Sequence, residues 1–358
     1  MYLRKDLEFH KQFVYTLSST LANVTVAIGA AVVLQNVWAL VFGSLAGSVM
    51  TFVISYVIHS YRPWIEFERD FAKELFGFGK WITLSGILVF LYSQGDDAFI
   101  GWFLGATALG FYQMAYRFSN APATEITHIV SQVTFPTYSK LQNDTESLRE
   151  AYFKTLRITT AISIPAAIGI ILVAPSFIRT FLGEQWLPMI TVMRILAVWG
   201  LARSIGANIG PVFKSLGRPE IETKLQVLKV LVIVVTIYPA TARWGLEGTA
   251  TVIVGSSLLV TSPLGNYIAL KQIDGSIFNF VKSVGVPLLA SVAMAVCVYF
   301  VDIGIQLDGD LTRFVLLVFG GVVTYTSSIV VLTKAFKYEL AGDVHIIVGG
   351  IKNENTDN

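Results

Sequence analysis

Apolar stretches of about twenty residues follow one another along nearly the whole chain, and no other feature restricts its fold so strongly. A bilayer core about 30 Å thick is crossed by about 20 mainly apolar residues, each adding about 1.5 Å of helical rise. Ten spans can be marked, approximately Phe13 to Leu34, Val37 to Ile58, Phe76 to Leu104, Leu109 to Tyr138, Leu156 to Val173, Met189 to Phe213, Lys224 to Ala240, Leu246 to Leu270, Phe280 to Val301 and Phe314 to Leu332. Composition agrees: 54% of the 358 residues are hydrophobic, 14% are charged against roughly 25% in a soluble domain, and mean hydropathy is +0.64. The pattern predicts an all-α polytopic membrane protein of about ten transmembrane helices. Connections on one side are short, about a dozen residues at most, and leave no room for a catalytic domain there.

Orientation follows from the 26 Lys and Arg residues. The side carrying both termini holds 19 of them, and the opposite side only Arg179, Arg243 and Arg313. That bias places both termini in the cytoplasm of a cell (cytoplasmic) membrane protein. The N-terminus lacks a short apolar core followed by a small-residue cleavage site, so no removable signal peptide is expected. A net charge of +2 with singly spaced basic residues gives no reason to expect nucleic acid. Cys297 is the single cysteine and no Cys/His cluster suggests a metal, so no metal or other cofactor is expected. No P-loop, HExxH or nucleophile elbow appears, and the chain is not read as an enzyme.

Charge inside the spans carries the functional signal. "LVFLYSQGDDAFIGWFLG" places Asp96 and Asp97 in an apolar run. A turn there would leave Ile82 to Tyr92 only about 16 Å long, too short to cross, so the helix is expected to continue through both carboxylates to Leu104. An ionised Asp at mid-helix costs about 2.5 to 3.5 kcal/mol on insertion scales and needs a partner or a wet cavity. The next span carries Arg117, Asn120, Glu125 and His128, with positions 117, 121, 124 and 128 on one face. Counting from the shared loop puts Arg117 at the depth of Asp96, which makes an ion pair one expectation and a titrating or substrate-binding site the other. Adjacent carboxylates diverge by about 100°, so they cannot both point at the same partner and one of them is expected to face another helix. His128 reads as a hydrogen-bonded core residue or a proton relay. Arg194 and Arg203 on the sixth span are nine residues apart and project from opposite faces of a straight helix. Arg203 is the better cavity candidate, because a buried guanidinium offers a phosphate a permanent charge and a planar fork of donors. Gly43 with Gly47 and Gly101 with Gly105 form GxxxG pairs that permit close helix approach.

The segment "DDAFIGWFLGATALGFYQMAYRF", with Asp96, Ile100, Gly101, Gly105, Tyr112 and Tyr116, resembles the seventh-to-eighth helix region of polysaccharide-exporting flippases of the multidrug/oligosaccharidyl-lipid/polysaccharide (MOP) superfamily. "RKDLEF", "VWALVFGSLAGS", "FPTYSKLQND", "GEQWLP", "MRILAVWGLARSIG" and "LGRPE" extend the resemblance over residues 3 to 270. It implies a two-lobe transporter fold lacking its first four helices. Residues 1–62 would be a remnant of the first lobe, 63–272 the second six-helix lobe, 273–340 two additional helices and 341–358 a cytoplasmic tail. The implied activity is export by flipping a polyprenyl-diphosphate-linked oligosaccharide through alternating access. Implied partners are that lipid-linked oligosaccharide, membrane lipids, and the polysaccharide polymerase and glycosyltransferases of the same pathway. On this reading Arg117, Arg194, Arg203 and Asn120 are substrate-binding candidates, and Asp96, Glu125 and His128 are ion-coupling candidates. A cation-coupled multidrug exporter of the same superfamily and a membrane glycosyltransferase or polymerase are the alternatives.

Overall fold

A computed structural model describes residues 9–58, 69, 90–91, 93–304, 309–336 and 338. Contacts divide the chain into two compact units, Met1–Leu84 and Ser85–Asn358. The described part of the first unit is a hairpin of α1 (Phe9–Leu34) and α2 (Trp38–Ile58). Asn36 starts α2 by accepting a hydrogen bond on its side-chain oxygen from the Trp38 amide at 3.0 Å. The helices meet where small residues permit it: Ser19 Oγ donates to the Gly47 carbonyl at 3.1 Å, and Thr51 Oγ1 donates to Ser19 Oγ at 2.8 Å. A Cβ on Gly43 would lie 2.6 Å from that of Ala27, so the expected close approach at Gly43 and Gly47 is present.

The second unit opens with α3 (93–103) and α4 (Ala106–Lys140), followed by α5 (Thr145–Phe181), a 3-10 turn (Glu184–Met189), α6 (Ile190–Gly206) and the short α7 (Ile209–Ser215). After them come α8 (Pro219–Gly255), a π-helical turn (Ser256–Thr261), α9 (Ser262–Gln272), α10 (Ile277–Gly304) and α11 (Asp310–Ala335). Seven helices or helical runs are long and apolar enough to cross a membrane among the described residues. Two differences from the ten marked spans have physical causes. The polar stripe of α4 removes it from the apolar set, although its 35 residues extend about 52 Å. The seventh and eighth spans form one helical run of 54 residues, Pro219–Gln272, which changes direction at Gly245, where φ is +56°. The first half of the third span lies outside the described residues.

Asp144 caps α5, its Oδ1 accepting from the Glu146 and Ser147 amides at 3.1 Å and its Oδ2 from Ser147 Oγ at 2.7 Å. The bonds from Ser147 hold its carboxyl below the ordinary aspartate range. Residues 142–154 are the approach to α5 and its first turns, and the 37 residues of this helix reach about 55 Å, more than a bilayer core.

One core cluster joins α3 to α6 and α8 through Ile100, Tyr112, Ile178, Met193, Leu196 and Ala250. A second, around Tyr138, Tyr152, Leu156, Val212 and Ile273, closes another end, with Tyr152 Oη donating to Asn266 Oδ1 at 3.2 Å. The final helices α10 and α11 pack on each other and on α5. Tyr325 Oη donates to the Ala161 carbonyl at 2.6 Å, and Arg313 Nε meets Asp302 Oδ1 at 2.7 Å.

Candidate functional site

The helix does continue through Gly95, Asp96 and Asp97. Gly105, at φ +90°, makes the turn into α4, so it serves backbone direction, while its GxxxG partner Gly101 sits against Leu109 with 3.2 Å to an added Cβ. The expected Asp96–Arg117 pair is not formed. Asp96 accepts from Tyr112 Oη at 2.8 Å, and Asp97 accepts from Gln113 Nε2 at 3.0 Å. The reason is hairpin register. The fourth helix begins at Ala106, three residues before the marked span, which puts Arg117 roughly 16 Å from the turn and Asp96 only roughly 12 Å. Arg117 is thus about one helical turn too deep. Both carboxylates also face α4, a correction to the expectation that one of them faces another helix. They straddle the line of contact, and the long Tyr and Gln side chains bridge the angle between them.

Tyr112 is 1% exposed, so its hydroxyl and the Asp96 carboxylate depend on each other. Tyr112→Phe removes the donor and is expected to lower stability by about 1 to 3 kcal/mol, seen as a lower thermal midpoint of the detergent-solubilised protein. An unchanged midpoint would mean that water satisfies Asp96 equally well.

Farther along α4, Arg117, Ala121, Thr124, Glu125 and His128 are all exposed, as the spacing of the stripe implies. Arg117, Asn120, Thr124 and Glu125 line an open groove of about 540 Å³ with Tyr116. The sixth helix brings Arg203 to its rim. One terminal nitrogen of its guanidinium donates to Tyr116 Oη at 3.0 Å, the other to Thr124 Oγ1 at 2.5 Å, and the group stacks on Trp199 with 5.1 Å to the ring centroid. Asn120 is nearly fully buried between α4 and α6, its amide nitrogen donating to Ser119 Oγ at 3.0 Å and the Leu196 carbonyl at 3.3 Å.

Arg194 goes elsewhere. Its Nε donates to the Ile171 carbonyl of α5 at 2.9 Å, consistent with opposite faces for Arg194 and Arg203 on one continuous helix. The helix breaks after Gly206, at Ala207 and Asn208, just before Gly210 and Pro211. Asp96 joins the Tyr112 pair rather than the groove wall, and His128 continues the exposed stripe one turn beyond Thr124. Sequence reasoning gave no role to Tyr116, Thr124, Trp199 or Lys229. Trp199 was findable, being one helical turn before Arg203 with its ring deep in a span.

The sequence model of a family described as "Polysaccharide biosynthesis protein" matches residues 1–191. The lipopolysaccharide biosynthesis protein WzxC of Escherichia coli strain K12 is 29% identical over 319 residues, 86% of this chain and 63% of the relative. The teichuronic acid biosynthesis protein TuaB of Bacillus subtilis strain 168 is 26% identical over 246 residues, 69% of this chain and 51% of the relative. The chain therefore spans less than two thirds of the length of these relatives. Among solved structures, the lipid II flippase MurJ in an inward closed conformation superposes with a TM-score of 0.71 at 16% identity, over 90% of this chain and 67% of that one. The shared fold, all-α among the described residues, makes this chain a multi-pass membrane protein.

Proposed function

From its membership of the polysaccharide biosynthesis protein family, to which this chain belongs, we propose that it acts in export by flipping a polyprenyl-diphosphate-linked oligosaccharide across the cytoplasmic membrane. The observation that carries this reading is Arg203, fixed by Tyr116 and Thr124 at the rim of an open groove that also holds Arg117 and Glu125. A guanidinium so held offers a diphosphate a charged fork whose orientation is already set. The open groove, about 540 Å³, leaves room for hydrated sugar units, while the lipid tail stays in the bilayer. Arg117 would give a second positive contact, and Asn120 would position the groove wall rather than touch substrate. Asp96, Glu125 and His128 are the groups available for ion coupling.

On this reading the chain crosses ten times with both termini cytoplasmic. Residues 1–62 represent part of a first lobe, 63–272 the second lobe, and 273–340 the additional pair. Access would alternate by rocking of lobes. The test is complementation of a strain lacking its polysaccharide flippase, with this chain and with a version extended by the coding sequence upstream of Met1. Restored surface glycan from either form supports the proposal and says which length suffices. Failure of both with expression confirmed sinks it.

A further inference from the structure

Prolines interrupt two long helices of the second unit, at Pro165 and Pro175 in α5 and at Pro287 in α10. A proline has no amide hydrogen, so the carbonyl four residues earlier loses its helical donor and the helix can bend there. The three carbonyls released in this way belong to Ala161, Ile171 and Ser283. Each is taken by a side chain from another part of the fold. Tyr325 Oη of α11 donates to the Ala161 carbonyl at 2.6 Å, and Arg194 Nε of α6 donates to the Ile171 carbonyl at 2.9 Å. The Ser283 carbonyl accepts twice, from Thr160 Oγ1 of α5 and from Tyr338 Oη just beyond α11, both at 2.9 Å. Thr160 and Ala161 are neighbours, so one level of α5 both donates to the proline site of α10 and accepts from α11. Between its two prolines α5 packs through Ile168 and Leu172 against Met294 and Val298 of α10 and Leu317 of α11. The bilayer core holds no water to replace a lost donor, so a carbonyl released there stays bound to whatever side chain reaches it.

We propose that α10 and α11 form a clamp on the Pro165 hinge of α5. While Tyr325 fills the Ala161 carbonyl the hinge is held at one angle, and α5 bends further only when the final pair of helices shifts and withdraws that donor. The bond from Thr160 makes the hold mutual, because α10 loses a donor at its own proline if α5 turns away. Arg194 closes the second proline site of α5 from α6, so the stretch that the clamp leaves free to move is the one around Pro165. The clamp is independent of the flipping proposal, because it concerns how these helices move and makes no use of a substrate.

Backbone hydrogen exchange is followed by mass spectrometry on the full chain in phosphatidylcholine nanodiscs. Tyr325→Phe is expected to speed exchange in residues 162–170 by about fivefold, the factor that corresponds to about 1 kcal/mol for one hydrogen bond. Residues 192–197 of α6 should exchange as before, which marks the effect as local. Pro165→Ala returns an amide donor to the Ala161 carbonyl and should slow exchange in the same stretch of α5. In that background Tyr325→Phe should have little further effect, since the carbonyl it served is already filled. Tyr299→Phe, an exposed tyrosine of α10, is the control and should alter neither stretch. Unchanged exchange in Tyr325→Phe overturns the proposal. So does a fivefold increase that persists when Pro165 is replaced, because Tyr325 would then join two helices without acting on the hinge. If Tyr325→Phe alone does not fold, recovery of folded protein on adding Pro165→Ala supports the clamp, and failure to recover overturns it. Transport measurements enter none of these outcomes.

Discussion

Arg203→Gln is expected to reduce export of lipid-linked glycan by roughly tenfold to a hundredfold, the loss of about 1.5 to 3 kcal/mol from one charged hydrogen-bonding group. The guanidinium has two kinds of partner, and the substitution separates them. Toward the protein it donates to Tyr116 and Thr124, which line an open groove where water can replace it. Toward substrate it contributes charge that glutamine cannot replace. Export should therefore fall while the thermal midpoint of the purified protein changes little. Arg203→Lys should recover only part of the activity, since an ammonium keeps the charge but loses the fork and the fixed stacking on Trp199. The readout is surface glycan in the complementation assay, normalised to protein in the membrane. Normal export by Arg203→Gln would remove the diphosphate role.

Gly200→Val is expected to act on stability instead, lowering it by about 1 to 3 kcal/mol. Gly200 lies where α6 approaches α4 most tightly at Asn120: an added Cβ would sit 2.9 Å from Asn120 Oδ1 and 3.3 Å from the Ala123 Cβ. Asn120 has little freedom to move aside, being tied to Ser119 and to the Leu196 carbonyl. The clash would be relieved either by breaking those bonds or by parting the helices. A double-mutant cycle with Asn120→Ala checks the assignment, because removing the amide should recover part of the loss. Additive midpoints in thermal unfolding would place the strain elsewhere.

Much of the architecture is legible in the chain itself. Spans at Phe13 to Leu34, Val37 to Ile58, Phe280 to Val301 and Phe314 to Leu332 each fall within an observed helix to within one residue, because a lipid-facing segment must satisfy its backbone internally. The break between the seventh and eighth spans was visible as well, and Gly245 provides it. The exposed stripe from Arg117 to His128 follows from helical periodicity alone. These are local properties, set within one or two helical turns or by the thickness of the solvent.

Partners were not legible to the same degree. Asp96 meets Tyr112 rather than Arg117 because α4 starts three residues earlier than its apolar pattern does, and three residues are nearly one turn. Asn120 is polar and lies near the stripe, yet the approach of Gly200 buries it. Lys229 and Trp199 are 30 positions apart, and their meeting on one ring with Arg203 depends on how α8 lies against α6. The sequence by itself determined that this chain is a series of membrane helices with one polar face on α4, since hydropathy and periodicity are enough to specify both. Only the tertiary structure decided which charges share a site, because hairpin register and helix packing shift side chains by a turn, and one turn is longer than a hydrogen bond.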